Sequence, residues 1–121
     1  MLAAGLAIAV LPSVGMAQAA DLDAGRAAFA KCRICHTIAA GAPSTVGPNL
    51  HGVFGRKAGS VPDFDYSPAI KGSGVVWNDA TLAKFLRDPK TDIPGTRMAF
   101  PGIADGTTLS ELIAYLRQAT K

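Results

Sequence analysis

Both cysteines of this 121-residue chain and one of its two histidines lie in the stretch KCRICHT, residues 31 to 37. On a helix, positions i, i+3 and i+4 share one face, so Cys32, Cys35 and His36 can all meet a single planar ligand. Two thiols adding across the vinyl groups of a haem would fix its edge, and the adjacent imidazole would reach the iron as axial ligand. C-x-x-C-H is the attachment pattern of a c-type haem for that reason. A zinc site needs about four ligands, and only the distant His51 is available to complete one, with no second C-x-x-C or H-x-x-x-H pair. A thioredoxin-like dithiol belongs beside a βαβ pattern, and no strand signal exists here. A structural disulfide between cysteines three apart would close a loop too small to restrain much unfolded chain.

The elements that must position this motif begin with an uncharged leader. Residues 1–20 contain no charged side chain, while all twelve Lys and Arg and all nine Asp and Glu follow. An apolar run from Leu2 to Leu11, a breaker region with Pro12 and Gly15, and Ala17 and Ala19 in an A-x-A pattern read as an export signal over residues 1–19, cleaved after Ala19. Such leaders ordinarily open with Lys or Arg, and here only the amino group of Met1 is positive. As a membrane anchor the apolar run is short, since at ~1.5 Å per residue it spans roughly half of a ~30 Å hydrocarbon core. The remainder, residues 20–121, is expected to be a single domain of modest capacity to bury surface. A net charge of +3 and the absence of a dense basic run interleaved with aromatics exclude a nucleic-acid-binding surface.

Within that domain Asp21 and Asp23 precede the Ala-rich GRAAFAKCRICH and predict a first helix capped there. The next segment, TIAAGAPSTVGPNLHGVFGRKAGSVPDFDY, has no period of 2 or 3.6 and reads as a long loop folded around something. Ser67 and Pro68 open a short helix, PAIK, which Gly72 stops. Asn78 caps another, with Leu82, Phe85 and Leu86 on one face and Pro89 ending it. The segment PKTDIPGTRMAFPGI returns to loop composition. Thr108 and Glu111 form a T-x-x-E capping box ahead of Leu109, Leu112, Ile113 and Leu116. The expectation is an all-α fold of four to five helices with two long Gly/Pro-rich loops that need a partner to wrap.

Once Met1 and Met16 leave with the leader, Met98 is the only thioether available as a sixth iron ligand, and a His/Met pair raises the reduction potential. Its setting, IPGTRMAF, is a loop rather than a helical core position. His51 is the rival, but LHGVFG reads as a turn with a surface or loop-bonding histidine.

Taken in order, KCRICHT, GPNLHGVFGRKAG, WNDATLAKFLRDPKTDIPGTRMAFPGI and ELIAYLR resemble the class I c-type cytochromes of the mitochondrial and soluble bacterial electron-carrier type, from Gly25 to Arg117. The resemblance implies a cytochrome c-like haem-wrapping fold whose first and last helices cross near Gly25, Phe29, Leu112 and Tyr115. It also implies that the Pro48 carbonyl accepts a hydrogen bond from the second ring nitrogen of His36, and that Arg56, Tyr66, Trp77 and Thr96 hydrogen-bond or shield the haem propionates. Phe85 stands where many members carry tyrosine, and Ile70 where many carry asparagine, so the hydrogen-bond network near the iron is expected to be thinner.

An iron with His36 and Met98 on its two axial positions offers a substrate no open site, which suits one-electron exchange rather than catalysis. The expected function is a monomeric carrier of one covalent haem c in the bacterial periplasm. It would shuttle electrons among membrane cytochrome complexes, oxidases or dehydrogenases, with no stable membrane insertion of the mature chain. The alternative is a haem c enzyme or gas sensor in which Met98 dissociates. Lys31, Arg33, Lys57, Lys90 and Arg97 flank the haem-attachment and Met98 segments and would form a positive rim that steers acidic partner surfaces into small, short-lived interfaces below ~1,200 Å².

Overall fold

The computed structural model describes residues 2–10 and 14–121. Its helices are α1 (Val14–Arg33), α2 (Pro68–Lys71), α3 (Asp79–Arg87), α4 (Pro89–Asp92) and α5 (Gly106–Ala119). Among the described residues, β pairing is confined to an isolated antiparallel bridge between Lys57 and Val76. The fold is all-α.

The frame is the crossing of α1 and α5. A Cβ on Gly25 would fall on the Glu111 carbonyl oxygen and 2.6 Å from Tyr115 Cβ, so only a residue without a side chain lets the two backbones approach this closely. Phe29 and Leu112 are fully buried at this crossing, and the Phe29 and Tyr115 rings lie 5.4 Å apart. Burying side chains of this size stabilises by about 1.5–3 kcal/mol each. The Arg26 guanidinium lies 5.9 Å from the Tyr115 ring centre on the outer side.

α3 packs against α5 and buries Leu82, Phe85 and Leu86 in the core. Its start is a reciprocal capping box: the Thr81 amide donates to Asn78 Oδ1 at 2.9 Å and the Asn78 amide to Thr81 Oγ1 at 2.8 Å. An ion pair between Arg117 and Asp79 joins the two helices at the surface. α2 takes its cap from Ser67, whose hydroxyl accepts from the Ile70 amide, and stops at Gly72.

Three element boundaries differ from expectation. α1 starts at Val14, well ahead of Asp21 and through Gly15 of the expected breaker region, because Met16, Ala17, Gln18, Ala19 and Ala20 are all strong helix formers. A single turn, α4, stands where loop was expected: Asp88 caps it by accepting from the Thr91 amide and hydroxyl at 3.3 and 2.7 Å, and Pro89 sits at its first position, where no amide hydrogen is needed. The Thr108–Glu111 box is not used. Asp105 caps α5 instead, accepting from the Thr107 amide at 3.1 Å and the Thr108 hydroxyl at 2.9 Å, since a carboxylate satisfies the exposed amides and the helix dipole together. The export signal expected over residues 1–19 falls partly outside the described residues. Over 2–10 the chain has no regular structure, with Leu2, Leu6, Ile8 and Val10 exposed. No described helix is long and apolar enough to cross a membrane.

Between α1 and α2 the chain has no periodic hydrogen bonding of its own, so its polar groups are satisfied one at a time. Asn49 is a hub. Its Nδ2 donates to the Ala39 and Ala42 carbonyls at 2.9 and 2.7 Å, its Oδ1 accepts from the His51 amide at 2.8 Å, and its own amide donates to Ser44 Oγ at 2.9 Å. Ser44 then reaches across the loop. Its amide and hydroxyl donate to the two carboxylate oxygens of Asp63 at 2.9 and 2.6 Å.

Filling the helix crossing with Gly25→Ala is expected to cost about 1–3 kcal/mol of unfolding free energy in denaturant titration; a change below about 0.5 kcal/mol would contradict the close approach. The Ser44 hydrogen bonds hold the Asp63 carboxyl below the usual carboxylate range. A depressed folded value contributes stability above the unfolded carboxylate pKa, about 3.9, and loses it as pH falls through the folded value. The stability difference between wild type and Asp63→Asn is therefore expected to be constant near neutrality and to shrink below about pH 4. A difference independent of pH would contradict this.

Candidate functional site

α1 ends at Arg33, and the thiol motif straddles its end. The Cys35 and His36 amides both donate to the Cys32 carbonyl, at 3.0 and 2.9 Å. The last turn tightens and then releases the chain. Cys32 thus lies in the helix while Cys35 and His36 lie in the turn after it, a difference from the expected continuous helical face, yet the hydrogen bonds retain the spacing of one turn. Both thiols are free and partly exposed. Burial, reinforced by Cys35, raises the pKa of the Cys32 thiol, which is a neutral nucleophile-in-waiting rather than a standing thiolate.

His36 is held on two sides. Its Nδ1 lies 2.7 Å from the Pro48 carbonyl oxygen. A carbonyl only accepts, so Nδ1 carries the proton and Nε2 keeps the lone pair. Burial lowers the pKa of the imidazole, the Pro48 bond partly opposes this, and the Arg56 charge adds to it, so the ring is neutral near pH 7. Gly47 lies flat against the ring: a Cβ there would come within 2.5 Å of His36 Cε1. The Gly47 amide and the Thr45 hydroxyl both donate to the Cys35 carbonyl, at 2.8 Å each, which pins this loop to the motif.

Arg56 is half-buried and donates from Nη1 to the Asn49 and His51 carbonyls at 3.0 and 3.1 Å. Among the described residues it pairs with no carboxylate. Tyr66 is buried near Arg56, whose guanidinium partly opposes the rise in pKa that burial imposes on the phenol. The Tyr66 hydroxyl accepts from the Val61 amide at 3.1 Å. No described residue accepts the proton of that hydroxyl, which leaves it free to donate. Trp77 is laid beside Arg56 by two backbone bonds, Trp77 N to the Arg56 carbonyl at 2.9 Å and Gly55 N to the Trp77 carbonyl at 2.7 Å. Its ring packs 5.2 Å from Phe85.

Met98 and Thr96 form a separate group. The Met98 amide donates to Thr96 Oγ1 at 3.3 Å, and the side chain of Met98, like Cys32, is half-buried against the hydrophobic core. Phe85 and Ile70 are buried in that core and contribute no polar atom. His51 takes part in the loop through its backbone, as the Arg56 and Asn49 bonds above describe. Lys31, Arg33, Lys57, Lys90 and Arg97 are all exposed, and so are the apolar Ile34 and Val46 that flank Cys35. Arg97 lies 4.0 Å from Asp65.

These features fit a covalently held haem. Two unpaired thiols stand one turn apart beside a neutral imidazole whose Nε2 is free to ligate. A glycine leaves room along the ring. A half-buried guanidinium and a buried phenol retain hydrogen-bonding capacity for carboxylates. Sequence reasoning missed Gly47, Asn49, Ser44 and Asp63. The G-P-N run at residues 47–49 carries a turn signal that points to the first two; Ser44 and Asp63 are far apart in sequence and carry none.

No family model matches the chain. It is 45% identical over 106 residues to cytochrome c2 of Blastochloris viridis, covering 88% of this chain and 84% of that protein. It is 47% identical over 98 residues to cytochrome c-550 of Bradyrhizobium diazoefficiens, covering 81% and 72%. Among solved structures it is similar to cytochrome cH from Methylobacterium extorquens, with a TM-score of 0.76, 44% identity, and coverage of 81% of this chain and 98% of that one.

Proposed function

This chain belongs to the class I c-type cytochromes, which are electron-transfer proteins, and from that premise we propose a periplasmic one-electron carrier with His36 and Met98 as axial ligands to a single haem c. Cys32 and Cys35 would hold the group by thioether links, each thiol adding S and H across one vinyl double bond with no leaving group. When bound, the haem supplies the Fe(III)/Fe(II) couple, and no side chain of this chain changes covalently as the electron passes.

The observation that carries this reading is the 2.7 Å bond from His36 Nδ1 to the Pro48 carbonyl. It fixes the tautomer that leaves Nε2 free, and it raises the basicity of that nitrogen toward a metal. Gly47 keeps the ring in place by contact. Arg56, Tyr66, Trp77 and Thr96 are the residues proposed to bind or shield the haem propionates, and the uncommitted donors of Arg56 and Tyr66 support that assignment. Met98, the single thioether of the mature chain, would hold the iron opposite His36. Met98 packs against a core to which Phe85 and Ile70 contribute no polar atom, which supports a sulfur ligand with few hydrogen bonds around it.

The leader supports the periplasmic assignment: the uncharged segment over residues 1–19, with its A-x-A pattern, is removed after Ala19 on export. The mature protein is a soluble monomer that meets membrane cytochrome complexes, oxidases or dehydrogenases through their acidic surfaces. The exposed Lys31, Arg33, Lys57, Lys90 and Arg97 provide the steering charge.

Carbon monoxide tests the ligand set. The reduced holoprotein is expected to bind it weakly and slowly at neutral pH, and Met98→Ala to bind it rapidly; rapid, tight binding by the wild type would instead indicate the sensor or enzyme. The rate of reduction by an acidic partner is expected to fall steeply with added salt. A flat salt dependence would remove the charged rim while leaving the haem assignment intact.

A further inference from the structure

The segment that carries Met98 has few tethers. Between Arg97 and Gly102 the hydrogen bond from the Met98 amide to Thr96 Oγ1 is the only one to a described residue. The Arg97–Asp65 pair is long and exposed, so beyond the packing of Met98 on the core the position of the thioether is inherited from the two ends of the loop. At the upstream end the Thr96 amide donates to the Ile93 carbonyl at 3.1 Å. At the downstream end the Ile103 amide donates to the Leu86 carbonyl at 2.9 Å, which docks the loop on the last turn of α3.

That downstream contact depends on Gly102. Its φ is +104°, a conformation that side-chain-bearing residues rarely adopt. A Cβ at this position would fall on the Arg87 carbonyl oxygen and lie 2.8 Å from the Arg87 carbonyl carbon and 3.2 Å from Asp88 Cα. These are backbone atoms at the end of a helix, so they cannot rotate aside as a side chain would. Any side chain at 102 must lift the loop off α3.

We propose that Gly102 is a positioning residue for the axial thioether: its contact with the C-terminus of α3 sets the height of the loop and so holds Met98 in ligating position. This rests on Met98 being the sixth ligand. Gly74 provides the internal comparison, because its φ is +69° but a Cβ there would meet nothing within 4 Å. Alanine at 74 introduces backbone strain alone, whereas alanine at 102 adds displacement of the loop.

The test is imidazole binding to the oxidised holoprotein of wild type, Gly102→Ala and Gly74→Ala, followed by the change in the visible spectrum. Gly102→Ala is expected to bind imidazole at least about ten-fold more tightly than wild type, with Gly74→Ala within about two-fold of wild type. Equal affinities for the two variants would overturn the proposal. Should Gly102→Ala not accumulate as holoprotein, amide hydrogen exchange in the wild type carries the test, since coupling between two contacts is reciprocal. Displacing Met98 with imidazole is expected to increase the exchange rate of the Ile103 amide selectively over that of Gly55; an unchanged Ile103 rate would overturn it. If wild type already binds imidazole as tightly as Met98→Ala does, the failure lies with Met98 as ligand, not with Gly102.

Discussion

The hydrogen bond between His36 Nδ1 and the Pro48 carbonyl is the contact on which the site turns. It decides which nitrogen carries the proton, and it ties the end of α1 to a loop with no regular structure. Gly47, one residue earlier, adds a steric wall against the same ring. A histidine freed of either constraint would still sit in the C-x-x-C-H run, but it would have two tautomers and a rotating ring. Burial and the nearby Arg56 charge act in the same direction by favouring the neutral imidazole.

Around that contact the molecule divides labour between helices and loops. α1 and α5 cross where Gly25 allows it, and the crossing supplies the rigid base from which Cys32 projects. The loops supply chemistry, and being aperiodic they need explicit tethers. Asn49, Ser44 and Asp63 brace the first loop, which carries Pro48, Arg56 and Tyr66. The second loop is braced at its ends, against Ile93 and against α3, and carries Met98 between them. Arg56, Met98 and Cys32, on three different segments, are each half-buried, neither packed away nor fully solvated.

Much of this was legible in the sequence where the physics is local. Ser67, Gly72 and Asn78 bound their helices as their cap chemistry predicts. The apolar spacing of Leu109, Leu112, Ile113 and Leu116 places those residues in the core. Legibility failed where two local signals competed, as at α5, where Asp105 displaced the Thr108 box. It failed too where an Ala-rich stretch carried α1 past its expected start. The turn α4 was hidden inside a run of loop composition, although Asp88 followed by Pro89 is a cap and first-turn pair. The partnership of Ser44 with Asp63 had no sequence signature, because it depends on how two loop segments fold onto each other. The roles of Arg56, Tyr66 and Trp77 follow from resemblance alone; the backbone bond that sets Trp77 beside Arg56, and the Val61 amide that holds the Tyr66 hydroxyl, are encoded by no periodicity.

Two thioether links would make the haem part of the polypeptide. Intact-mass measurement on protein matured in cells competent for haem attachment, after denaturation and extraction with acidified acetone, tests this most directly. The expected species has the mass of residues 20–121 plus one whole haem, which the solvent does not strip. A chain that retains no added mass, with all colour in the organic layer, would contradict it.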